Sequence, residues 1–227
     1  MGEEDPERMM IPEEPEALQG AVEISTPRGT VRGILYPVEG ARGAIAMVGG
    51  AGGDTTGPSG IYEELAGRLQ ADGSTALRLE YRAPNHLEEC THDVRAAVNA
   101  LGARGAERVV LVGWSFGGAV VISGGAASER VVGVATVASQ TYGAAAVGEL
   151  SPEKSLLLIH GTADGVLPYR LSQDLYTRAG EPKELVLYPE DGHGIEQYRQ
   201  ELLEKLHGWS RGLLLLDGGT PEKPALL

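Results

Sequence analysis

Residues 111 to 118 read Leu-Val-Gly-Trp-Ser-Phe-Gly-Gly, and no other stretch restricts the fold of this chain so tightly. An apolar, β-branched run from Arg108 to Val112 leads in, and a small-residue stretch from Gly117 to Gly125 leads out. That context predicts a strand, a tight turn and a helix, with Ser115 at the turn. Such a turn holds its central residue at strained, positive φ and brings strand and helix close together. Gly113 and Gly117 leave room for that approach, which any Cβ would obstruct. Ser115 Oγ then projects free of the sheet, beside the Phe116 N–H at the helix start. The pattern predicts a nucleophilic serine, with a purely structural turn as the plainer alternative.

A nucleophilic serine needs a base and an orienting acid. Residues 155 to 160, Ser-Leu-Leu-Leu-Ile-His, form a buried-strand run, and Gly-Thr-Ala-Asp-Gly places Asp164 just past its end. Residues 184 to 188, Glu-Leu-Val-Leu-Tyr, form another, and Asp-Gly-His-Gly places His193 just past that one. Ligands and catalytic groups in open parallel sheets gather at the carboxyl ends of strands. The order Ser115, Asp164, His193 is that of the nucleophile-elbow hydrolases. Asp191 is nearer to His193 in sequence, but a residue two positions away points poorly at the ring, so Asp164 is the expected partner.

On these motifs and the glycine-rich segment Val48 to Asp54, the chain resembles small, capless α/β-hydrolases of the dienelactone-hydrolase and serine-esterase type. The likeness spans roughly residues 20 to 210. Dienelactone hydrolases proper use a cysteine nucleophile, so serine at 115 points to the esterase side. The Gly-Trp-Ser-x-Gly-Gly form is also similar to the catalytic domain of prolyl-oligopeptidase-type peptidases. The resemblance implies an oxyanion hole built from the Phe116 N–H and a second donor in the loop after the third strand. Relatives often carry His-Gly-x there, which makes Ala51 the donor and Gly50 its neighbouring alternative. Gly49 stands where the histidine usually does, so this chain lacks that brace.

The elements expected around these motifs alternate. Strands near 21–26 and 30–37 bracket a Pro-Arg-Gly turn as an antiparallel hairpin, and strands follow at 43–48, 75–81 and 130–137. Helices are expected near 59–71, 86–103 and 194–210, and one starting at Pro168 carries Leu171 and Leu175. The expectation is a single-domain, mostly parallel, doubly wound sheet with helices on both faces and no cap domain. About sixteen residues separate Ala138 from the strand at Ser155, too few for an independent lid.

At 227 residues the chain suits one core of this kind. Its formal charge is −13, of which seven acids and Arg8 within residues 1 to 19 supply −6. The expected division is an acidic, flexible arm over 1–19, a hydrolase domain over 20–216 and a loose tail over 217–227. Strong acidity argues against nucleic-acid and anionic-membrane partners. One cysteine, Cys90, excludes an internal disulfide and fits the cytoplasm, and neither a secretory leader nor a membrane span is expected.

No cofactor is expected, because the glycine run lacks the Lys-Ser or Lys-Thr of a phosphate loop. No metal is expected either: His86, Cys90 and His92 lie together, but four ligands are needed and no second cluster is visible. Arg82 and Tyr142 are candidates for lining the substrate pocket. The predicted activity is hydrolysis of a small carboxylic ester, with short acyl groups, by a Ser-His-Asp triad. A peptidase or amidase with the same triad, and a catalytically silent binding protein of the same fold, are the alternatives. A homodimer is compatible with either.

Overall fold

The computed structural model describes residues 19–215, so the expected tail and all but the last residue of the expected arm lie outside the described residues. Strands β1 (Gly20–Thr26) and β2 (Gly29–Tyr36) form the antiparallel hairpin, and β2 pairs antiparallel with β4 (Thr75–Glu80). Strands β3 (Gly43–Val48), β5 (Arg108–Trp114), β6 (Val131–Val137), β7 (Ser155–Gly161) and β8 (Lys183–Tyr188) complete an eight-stranded sheet. Its order is β1-β2-β4-β3-β5-β6-β7-β8, parallel from β4 to β8. The carboxyl ends of six strands therefore share one rim, and the loops that leave it carry every candidate site residue.

Alternation along the strands divides the core in two. Val109 and Leu111 of β5 join the layer covered by α2 (Leu87–Ala103), α3 (Phe116–Ala126) and α4 (Arg170–Arg178). Val110 and Val112 join the layer covered by α1 (Tyr62–Ala71) and α5 (Arg199–Leu214). The same period places Ala44 and Ala46 of β3 under the first layer and Ile45 and Met47 under the second. Helix α3 is buried on nearly all sides, and its glycines set its distance from its neighbours. A Cβ at Gly124 would press on Val94 of α2, and one at Gly125 on Val134 of β6.

Two helix starts differ from the sequence expectation. Pro168 precedes α4 rather than opening it, and α5 begins at Arg199, five residues later than expected. The reason at α5 is a competing acceptor: Asp191 takes the N–H groups of Gly192, Glu196, Gln197 and Tyr198. Those donors are satisfied before a helical ladder can claim them. The same helix continues past residue 210 to Leu214. Between β6 and β7, a short 3-10 turn at Ala145–Glu149 buries Ala144, Val147 and Leu150 in the α3 layer. That segment is thus folded down onto the domain and forms no cap.

Glycines that backbones lean on should behave differently from a glycine in open space. A Cβ at Gly113 would collide with the Gly117 carbonyl, whereas one at Gly67, exposed in α1, meets nothing within 4 Å. Gly113→Ala should destabilise the protein by about 3 kcal/mol or more. Gly67→Ala should stabilise it by about 0.5–1 kcal/mol. Thermal melts of the two variants check both signs.

Candidate active site

Strand β5 delivers the nucleophile candidate through a turn only glycine neighbours allow. Ser115 has φ 56 and ψ −119, between the end of β5 and the first residue of α3. Such a conformation costs of order 1–3 kcal/mol and persists only where surroundings impose it. Here Ser115 N–H donates to Val137 O at 2.8 Å, and Gly118 N–H donates to Ser115 O at 3.0 Å. The Gly113 and Gly117 backbones touch, and Gly117 in turn lies against the Gly49 carbonyl. At the head of α3 the Phe116 N–H meets no acceptor among the described residues, while its ring packs edge-on to Tyr81. A free amide at a helix N-terminus favours an anion.

The loops after β7 and β8 bring Asp164 and His193 together. His193 Nδ1 lies 2.7 Å from Asp164 Oδ2, and the Asp164 side chain is wholly buried. Asp164 Oδ1 accepts the Val166 and Leu167 N–H groups at 2.8 and 2.9 Å. Burial pushes the Asp164 carboxyl upward, but bonds from His193, Leu167 and Val166 outweigh it and hold the group below its ordinary value. Asp164 is therefore an anion at neutral pH, and it fixes the His193 proton on Nδ1. The Nε2 lone pair is left free to accept a proton. Ser115 Oγ makes no hydrogen bond among the described residues, His193 included, a looseness common in sites without substrate.

A clamp unforeseen from the sequence fixes His193, the candidate base. Trp114, immediately before the serine, donates its indole N–H to the His193 carbonyl at 3.0 Å, with ring centroids 5.5 Å apart. Ser59 donates to the neighbouring Gly194 carbonyl at 2.7 Å. Asp191, the carboxylate passed over as the orienting acid, is 1% exposed and serves the backbone of residues 192–198 instead.

The loop after β3 lies beside the serine. Gly53 N–H closes a turn onto Gly50 O at 3.0 Å, and a Cβ at Gly50 would stand 3.6 Å from Ser115 Cβ. The Ala51 N–H meets no acceptor among the described residues. Histidine is absent at position 49 for a steric reason: any Cβ there would collide with the Asp54 carbonyl. Bracing comes from other groups. The Tyr62 hydroxyl donates to Val48 O at 3.0 Å, and Asp54 Oδ1 accepts from Thr56 N–H and Oγ1.

Arg82 is a correction to the sequence reading. Its three guanidinium nitrogens are engaged by Asp93, the Arg28 carbonyl and Glu89, so the side chain serves as a tie between α2 and the hairpin. Tyr142 is 78% exposed, and the carbonyl of the next residue, Gly143, accepts from Ser123 Oγ. Ser123 lies eight residues along α3, about 12 Å from Ser115 by helical rise. His86 precedes α2, His92 sits near Glu88, and burial pushes the Cys90 thiol up to about 11. Among the described residues no three His, Cys, Asp or Glu side chains are grouped to hold a metal, and no helix is long and apolar enough to cross a membrane.

The two carboxylates should separate in their effects. Asp164→Asn should lower turnover by about 10⁴ through loss of the productive His193 tautomer. Asp191→Asn weakens four backbone bonds and should lower stability by about 1–3 kcal/mol, with a smaller loss of turnover. Thermal melts and ester kinetics on both variants test the division, and the reverse ranking in turnover contradicts it.

No family model matches the chain. It is 32% identical over 146 residues to the uncharacterized protein YfhR of Escherichia coli K12, covering 49% of this chain and 51% of that one. The O157:H7 counterpart is 34% identical over 132 residues. The chain thus spans about half the length of these curated relatives. Among solved structures, dienelactone hydrolase from Anabaena variabilis superposes with a TM-score of 0.76 at 19% identity, over 87% of this chain and 98% of that one. The esterase domain of a Rhodothermus marinus protein gives 0.70 at 17% identity, over 87% and 99%. Est1E of Butyrivibrio proteoclasticus gives 0.70 at 16%, over 84% and 97%. The chain is an α/β-hydrolase-fold protein, dienelactone-hydrolase-like in its architecture.

Proposed function

We propose that the protein is a serine hydrolase that cleaves carboxylic esters through an acyl-enzyme. The observation that carries this reading is the buried Asp164–His193 bond of 2.7 Å, set on the same rim as a serine at positive φ. Alone, the serine hydroxyl keeps its proton near neutral pH and is a poor nucleophile. His193 Nε2 takes that proton as Ser115 Oγ bonds to the acyl carbon, and the carbonyl electron pair moves onto oxygen. Phe116 and Ala51 N–H groups donate to this oxyanion; donors already in place cost no reorganisation as the charge develops. The tetrahedral adduct collapses, the C–O bond to the alcohol breaks, and His193 returns the proton to the alkoxide. Water then repeats the sequence on the acyl-enzyme, releasing the acid and restoring Ser115. Asp164 remains an anion throughout and stabilises the imidazolium.

The names of two structural neighbours, a dienelactone hydrolase and an esterase domain, agree with ester chemistry. The segment between β6 and β7 is folded down, so among the described residues no lid covers the rim and long acyl chains find little to bury against.

A fluorophosphonate probe should label Ser115, and Ser115→Ala should abolish labelling and lower ester turnover by about 10⁴ or more. Mass spectrometry placing the probe elsewhere, or near-parental activity in the variant, overturns the mechanism. Across p-nitrophenyl esters, kcat/KM should peak at about two to six acyl carbons, since each further methylene gains up to about 0.8 kcal/mol only if buried. A preference for palmitate refutes the lidless reading, and faster turnover of aminoacyl amides than of matched esters replaces ester hydrolysis with peptidase chemistry.

A further inference from the structure

One buried titratable side chain has no part in the steps above. His160, at the end of β7, is 0% exposed, and both of its ring nitrogens are bonded. Nε2 lies 3.0 Å from Asp164 Oδ2 and 2.9 Å from the Leu167 carbonyl. Both of those groups only accept, so Nε2 carries a proton and shares it between them. Nδ1 lies 2.7 Å from Ser172 Oγ in the first turn of α4. Burial disfavours the imidazolium, so the ring is neutral and Nδ1 accepts the Ser172 hydroxyl proton.

We propose that His160 is a positioning residue for the hydrolytic reaction, holding the Asp164 carboxylate in the orientation that serves His193. Leu167 is the second half of the device. Its N–H donates to Asp164 Oδ1 while its carbonyl accepts from His160, so the imidazole and the carboxylate grip one peptide segment from two sides. Rotation of the carboxylate would break bonds to both. Asp164 Oδ2 meanwhile accepts from two imidazoles, His160 Nε2 and His193 Nδ1. Sharing that oxygen divides its accepting capacity between the two rings. The titratable groups facing His160 are Asp164 and His193 themselves.

This inference rests on the serine-hydrolase reading, and the experiment separates the two. In the wild-type protein, long-range ¹H–¹⁵N spectra should show His160 neutral and protonated on Nε2 alone from about pH 5 to 9, the range in which a free imidazole titrates. In His160→Leu, kcat should fall by about tenfold to a hundredfold with KM unchanged, because the orienting group drifts. The acid limb of its kcat/KM profile should move to higher pH, since His193 then faces an undivided carboxylate. His160→Gln restores an N–H donor and should recover most of kcat and the parental limb. Overturning results are a His160 that titrates in that range or carries its proton on Nδ1, or a His160→Leu limb that stays or moves to lower pH. Should His160→Leu fail to fold, the wild-type spectra and His160→Gln still decide the matter. Failure of Ser115 to take the fluorophosphonate defeats the hydrolase reading itself; normal labelling with an unmoved His160→Leu profile defeats only this proposal.

Discussion

Three stretches of bare backbone meet beneath Ser115: the end of β5 at Gly113, the first turn of α3 at Gly117, and the loop after β3 at Gly49. A Cβ at any one of them would overlap a neighbouring peptide. Because the peptides lie in contact, the serine has nowhere to relax, and its strained φ is imposed by packing rather than chosen locally. The same contact aligns the loop after β3 beside the serine hydroxyl, where the Phe116 and Ala51 N–H groups meet no acceptor among the described residues. The geometry of Ser115 and the placement of these two N–H groups thus follow from one steric condition. The alanine and valine side chains around it only have to fill the space that the backbones leave.

A second condition concerns buried negative charge. Asp164 and Asp191 both lie inside a protein whose formal charge is already −13. Among the described residues neither is matched by an Arg or Lys; each is held by four hydrogen-bond donors. Asp191 spends its capacity on backbone N–H groups and shapes the loop that carries the base. Asp164 divides its capacity between backbone and imidazole, so it shapes its own loop and acts on His193. Two residues apart in sequence from the base, and twenty-nine apart, the carboxylates exchange the roles that proximity would suggest.

The sequence was most readable where periodicity or strand ends carried the signal. Alternation in β3 and β5, the glycines flanking Ser115, and the placement of Asp164 and His193 past apolar runs all appear as short local patterns. It was least readable where a contact joins distant residues. Nothing near position 49 announces that the Asp54 carbonyl will occupy the space of a side chain. Nothing near Arg82 shows that Asp93, one and a half turns into the following helix region, will claim it. The start of α5 departs from its helical pattern because Asp191 captures donors that the pattern assigns to the ladder. His160 stands in the sequence only as the polar residue near the end of an apolar strand, with no local sign of its partners. Its partners, Leu167 and Ser172, emerge only when α4 folds back.

Strand β5 and strand β8 are not neighbours; β6 and β7 stand between them, a separation of about 14 Å at ordinary strand spacing. Each intervening strand contributes its own increment of twist, so the sheet ladder relates the two strand ends only through several strands. The loop after β8 returns toward Ser115, and there the Trp114 indole bonds directly to the His193 carbonyl. It acts as a strut across the open edge of a twisting surface. A bond from side chain to backbone thus fixes a distance that the ladder alone would set through two intermediate strands.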